Sequence, residues 1–144
     1  MMRGITLSKL VATMAVAGIA LFLAAPWIGD IAAAIRLAHG TDELLEAIAY
    51  ARSEAMQQGT TIAICEGPGG WAAYTVADFE GNALRFGDGS ALSVEGSAEC
   101  AIFGSAGNLH TLPLAITLCD PGRHQGRKIS VNFVGRAQVE AGPC

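Results

Sequence analysis

The chain has 144 residues, a mean hydropathy of +0.40 and a formal net charge of −4. That length makes about one domain, and once an apolar N-terminal stretch is set aside roughly 100 residues remain to fold in water. The mild acidic balance excludes a protein whose whole surface coats nucleic acid, so any polyanion contact has to come from a local cluster.

The first element is the run "RGITLSKLVATMAVAGIALFLAAPW". Residues Leu10 to Gly29 carry no charge over 20 consecutive positions, and at about 1.5 Å per residue such a helix reaches the roughly 30 Å of a bilayer core. Arg3 and Lys9 precede it and Asp30 follows, an asymmetry that places the N-terminus in the cytoplasm and the remainder outside. A secretory signal peptide would end in a small-x-small cleavage site. Pro26 directly after Ala24 and Ala25 is a poor place for that cut, and the apolar period resumes at once in "IAAAIRLA".

An earlier cut is available in "MMRGITLSKL", where a short basic leader, residues 1–4, ends in Gly4 and is followed by hydrophobic Ile5. Here the chain resembles the type IV pilin family. The resemblance implies that a prepilin peptidase cleaves after Gly4, that the new N-terminus at Ile5 is methylated, and that residues 5–29 stay on as a transmembrane and assembly helix. It also implies a role for Pro26 in loosening that helix, because proline removes a backbone hydrogen bond. One position departs from the family pattern: the fifth mature residue is usually Glu and is here Lys9. Two cations cannot form the family's pair between that carboxylate and a neighbour's amino terminus. Lys9 must therefore snorkel, find a carboxylate on another subunit, or mark a special place in the filament.

Residues 30–59 read as an amphipathic helix outside the membrane. Ile31, Ile35, Leu37, Leu44, Leu45, Ile48, Ala49 and Ala55 recur at three-to-four-residue steps, charges fall between them, and Gly59 closes the run. Gly40, Thr41 and Asp42 predict a bend near residue 40. The helix end "ARSEAMQQG" resembles the GspH/FimT-like branch of minor pilins and pseudopilins, in which it leads into the first strand. Read on its own, the stretch is a good helix end with Arg52 and Glu54 as solvated charges.

Past Gly59 the period falls toward two, in "TTIAIC", "WAAYTVADF", "LRF", "CAIFG", "LAITLC" and "KISVNFVGRAQV", separated by Gly, Pro, Asn and Asp. Residues 60–144 should form a small antiparallel sheet domain, with Ile129, Val131 and Phe133 sharing the face that packs on the helix. The expected fold is α+β and pilin-like.

The four cysteines lack zinc-site spacing, and an even number beyond a membrane-targeting segment fits disulfides, with three connectivities open by counting alone. Cys119 ends a strand and Cys144 is the last residue, so joining them would pin a fraying tail. Cys65 and Cys100 are then the remainder. No pattern matches a phosphate-cradling loop or a hydrolase elbow, and His39, His110 and His124 stand far apart. Neither an enzyme nor a cofactor or metal site is expected.

The segment from Asp120 to Cys144 holds Arg123, Arg127, Lys128 and Arg136 against Asp120 and Glu140, a local cationic excess. Arg123, His124, Arg127 and Lys128 are expected in one loop able to reach phosphates. In DNA-binding members of the FimT-like group a late G-R-x-R motif is implicated in DNA contact. Gly135 and Arg136 match it here, and Gln138 replaces its second arginine. The other reading is an ordinary solvated basic loop.

The resemblance therefore implies a minor pilin or pseudopilin whose partners are other pilins or pseudopilins, the prepilin peptidase, the inner membrane and, through the basic loop, DNA. It would be a single-pass inner-membrane protein with its C-terminal domain in the periplasm, later drawn into a filament. A type IV pilus and a type II secretion system could each own such a subunit. A plain membrane-anchored periplasmic binding domain is the third reading, and it predicts no cut at Gly4.

Overall fold

The computed structural model describes residues 7–68, 70–87, 92–121 and 125–144, with side chains from residue 9 onward except those of 23–28. The chain divides into two compact units, residues 1–34 and 35–144. Helix α1, Leu7–Gln58, is one element of 52 residues. The restart expected near residue 40 is not seen: the helix runs unbroken through Gly40, Thr41 and Asp42. The Thr41 hydroxyl donates to the Leu37 carbonyl, 2.6 Å away, so the residue expected to restart the helix instead satisfies itself within it. Buried Gly40 shares a crevice with Trp71, Ala72 and Tyr74. At the end of α1, Gly59 takes φ +65° and the Thr60 N–H donates to the Ala55 carbonyl at 3.2 Å, the six-to-one bond that closes a helix on glycine.

In the second unit, eight strands follow: β1 Ile62–Gly67, β2 Gly70–Asp78, β3 Ala83–Phe86, β4 Ser93–Gly96, β5 Cys100–Phe103, β6 Leu114–Cys119, β7 Gly126–Val131 and β8 Ala137–Gly142. They form two antiparallel four-stranded sheets rather than one, in the orders β3-β2-β1-β5 and β4-β6-β7-β8. Strand β4 was not expected, because "SVEG" offers a single apolar residue. The stretch "KISVNFVGRAQV" is two strands, since Asn132 and Gly135 turn the chain between β7 and β8.

One core joins the helix to both sheets. Leu37, Leu44, Ala47, Ile48, Ala51 and Ala55 form its helical stripe, and Ile62, Ile64, Val76, Phe103, Ile116, Ile129 and Val131 meet them from the strands. Full burial of each large aliphatic side chain stabilises by about 1.5–3 kcal/mol. The stripe is narrower than expected: Ile31, Ile35 and Ala49 are exposed. Phe133 also leaves the core. Ile129 and Val131 are buried, but the turn begins before Phe133 and leaves it 57% exposed.

Candidate assembly helix and domain surface

Every described side chain from Lys9 to Phe22 is exposed, and Lys9 is the only charge among them. Leu10, Val11, Met14, Val16, Ile19, Leu21 and Phe22 point around the whole circumference, with Phe22 81% exposed. A helix that is apolar all round is built to be surrounded, by lipid or by other helices. Placing seven such side chains in water at about 1.5–3 kcal/mol each would cost on the order of 10–20 kcal/mol, as much as the whole stability of a typical domain. Among the described residues no helix is long and apolar enough to cross a membrane. Gly4 and Ile5 lie outside the described residues, as does the side chain of Pro26; α1 is continuous through position 26.

The described C-terminal cations are divided between a strand and a turn. Arg123 and His124 lie outside the described residues. Arg127 and Lys128 are in strand β7, not in a loop, and successive strand residues face opposite ways. Arg127 is registered with Leu118 on the face that carries Ile129 and Val131 to the core. Lys128 is on the other face, between Thr117 and the anion Glu140 on the flanking strands. Arg136 is exposed in the β7–β8 turn, level with Asn132 beyond the far end of β7 from Arg127, a separation of roughly 16 Å along the strand at about 3.3 Å per residue.

Arg52, read from sequence as a solvated charge, ties this turn to the helix. Its Nε donates to the Gly107 carbonyl at 2.9 Å. Gly107 and Gly135 both adopt left-handed backbone, φ +73° and +75°. A Cβ on Gly135 would stand 2.3 Å from the Gly107 carbonyl oxygen and 3.0 Å from Arg52 Nε. The Leu109 N–H completes the assembly by donating to the Phe133 carbonyl at 2.9 Å. The glycine of the expected Gly135-Arg136 motif thus has a packing role, and Arg136 stands beside it in solvent. Phe133, Val134 and Leu112 are held outward, with exposures of 57, 67 and 77%.

Two disulfides join Cys65 to Cys100 across adjacent strands and Cys119 to the terminal Cys144. Next to the second, Arg36 donates from Nη2 and Nε to Asp120 Oδ2 at 3.0 and 3.3 Å, with Asp120 nearly buried. This pair, 84 positions apart in sequence, fastens the helix to the end of β6. On the other sheet, Arg85 pairs with exposed Glu46 at 3.0 Å and lies over the Tyr50 ring. The Tyr74 hydroxyl is buried without a hydrogen-bond partner, and burial, then the nearby Glu43 carboxylate, push its ionisation above the ordinary tyrosine value. Among the described residues no three His, Cys, Asp or Glu side chains are placed to hold a metal ion.

A long helix, bare and apolar at one end and fastened at the other to a small disulfide-linked β domain, is the architecture of a pilin-like filament subunit. The family model of the type II transport protein GspH matches residues 40–135, and the chain belongs to that family. It is similar to the type IV minor pilin FimU of Pseudomonas aeruginosa in two crystal forms. One is 29% identical with a TM-score of 0.63, covering 72% of this chain and 92% of that one. The other is 28% identical with a TM-score of 0.64, covering 72% and 87%. No curated protein sequence matches. The family is one of structural subunits assembled into periplasmic filaments, not of enzymes.

Proposed function

We propose that this chain is a minor pilin, made as a single-pass inner-membrane protein and drawn into a type IV pilus-like filament by its apolar helix. In this reading a prepilin peptidase removes residues 1–4, Ile5 becomes the methylated N-terminus, residues 5–29 span the membrane, and residues 30–144 lie in the periplasm. The observation that carries the proposal is the helix end whose described side chains beyond Lys9 are uncharged and exposed around the full circumference. Neighbouring pilin helices can replace lipid around it, so it leaves the bilayer without meeting water. Similarity to FimU favours the pilus.

The second reading, a pseudopilin of a type II secretion system, is favoured by the description of the matching family. The two share processing and fold and differ in partners. Deletion separates them: loss of surface pili or of twitching supports the first, and loss of exoprotein secretion with pili intact supports the second. The intact mass of the membrane-bound protein tests what they share, and a full-length chain uncut at Gly4 would sink both in favour of a simple anchored domain. DNA contact through the C-terminal cations is a separate reading, and salt-dependent retention of duplex DNA by the full chain tests it.

A further inference from the structure

Four large apolar side chains stand exposed at the end of the second unit where α1 stops. They are Met56 on the helix, Leu112 ahead of β6, and Phe133 and Val134 in the β7–β8 turn, with exposures of 46, 77, 57 and 67%. The Arg52 clamp draws these segments together. A Cβ on Gly107 would stand 2.6 Å from Met56 Sδ, and Gly107 is the residue that Arg52 holds and Gly135 packs against. The Leu109 N–H fixes the Phe133 carbonyl. Leu112 and Phe133 each lie two residues beyond the registered pair Leu114 and Val131, at the same end of the sheet. The backbones are already tied in place, so a partner would meet a preformed surface.

The segments that carry the patch, residues 55–61, 104–113 and 132–136, contain no Asp, Glu or Lys, in a chain whose net charge is −4. Arg52 and Arg136 stand beside it. Acids flank the patch without entering it. Glu54 is about 200° around the helix from Arg52 and accepts from the Gln58 amide. Asp78 and Glu80 both accept from Asn82, and Asp78 is two strands, about 10 Å, from Phe103 at the base of the 104–113 loop. Phe, Met and Arg are enriched in protein–protein contacts, and Lys, Asp and Glu are depleted from them. A phosphate backbone would use the two cations and leave the apolar side chains uncovered. A two-fold contact between copies of this chain would set Arg52 and Arg136 against the same cations.

We propose that this end of the domain docks a different protein chain, through a surface of apolar residues rimmed by carboxylates. The apolar residues cover Met56, Leu112, Phe133 and Val134, and the carboxylates pair with Arg52 and Arg136. The inference rests on the filament reading for where that chain is met, as a different pilin-like subunit of the same filament.

The test is photo-crosslinking of the full-length chain in the cells of origin, with the reactive residue at position 112 or 134. Exposed Ala141, registered with Arg127 at the far end of β7, is the control position. Positions 112 and 134 should link to one and the same chain, different from this one, more strongly than position 141 does. The linked peptide should carry apolar residues flanked by Asp or Glu. Val134→Asp and Arg136→Glu, both at exposed positions, should each lower the link from position 112 by more than about tenfold while the thermal midpoint holds. A link to a second copy, to nucleic acid or to a peptide without carboxylates would overturn the proposal. So would links no stronger than at position 141, or links indifferent to both variants. Presence of the chain in sheared filaments is scored separately: its absence would defeat the filament reading, while the crosslinks in whole cells still decide the docking surface.

Discussion

Gly135→Ala probes the clamp beneath the β7–β8 turn. The residue sits at φ +75°, where a side chain costs about 1–2 kcal/mol. Its new Cβ would also stand 2.3 Å from the Gly107 carbonyl oxygen, a backbone atom that cannot swing aside as a flexible side chain could. Shifting either loop breaks the Arg52–Gly107 bond, and a hydrogen bond to a charged donor contributes about 1.5–3 kcal/mol. The expected loss is about 3–5 kcal/mol, which lowers the midpoint of a domain this size by roughly 10–20 °C. Near-ultraviolet circular dichroism of the full chain in detergent micelles, followed through thermal unfolding, reads it. Two glycines calibrate the result. Gly59 has φ +65° in open space, so Gly59→Ala should cost only about 1–2 kcal/mol. Gly142 has open space and no left-handed backbone, so Gly142→Ala should change stability by less than about 0.5 kcal/mol. If Gly135→Ala loses no more than Gly59→Ala, the clamp does not hold the turn.

The Arg36–Asp120 pair should be asymmetric, because Arg36 is half exposed and Asp120 nearly buried. Arg36→Ala strands a buried carboxylate and should cost about 2–3 kcal/mol in urea unfolding, against about 1 kcal/mol for Asp120→Ala. Tyr74→Phe removes a buried hydroxyl without a partner and should leave stability at pH 7 unchanged or raise it, as measured by thermal midpoint. The raised Tyr74 ionisation means the wild-type fold favours the neutral phenol. That contribution is intact below the ordinary tyrosine value and is lost as pH climbs through the raised one, so the advantage of the phenylalanine variant should grow with pH above about 10. Arg136→Ala should leave retention of duplex DNA unchanged across a salt titration, since Arg136 is about 16 Å along the strand from Arg127 and on the opposite face of the sheet register. A salt-sensitive loss of binding in this variant would instead favour DNA contact through this turn.

The helix was legible because two signals agree: an uncharged run, then a 3.6-residue period ending at glycine. Its continuity past Gly40 was not, because glycine followed by threonine and aspartate reads as a restart. What holds it is tertiary: Gly40 and Leu44 are buried beside Trp71 and Tyr74 from a strand some 30 positions away. Most strands were visible as alternating apolar runs. β4 was not, since its pairing with β6 comes from backbone bonds that "SVEG" does not advertise. Phe133 was misplaced because period-two reading assumes that the strand persists, and the turn at Asn132 ends it one residue too soon. Local spacing likewise grouped Arg127 with Lys128, although adjacency in a strand is what separates them onto opposite faces. The Arg52 clamp and the Arg36–Asp120 pair join positions 55 and 84 residues apart, and no local pattern reports such contacts.

The account turns on an apolar helix that exchanges lipid for the helices of its neighbours. Mass spectrometry of sheared, lipid-free filaments tests this most directly. The account predicts that the chain is present in them, begins at Ile5 and retains residues 10–22 intact. A chain found only in membranes, or one that enters filaments beginning beyond Trp27, would contradict it.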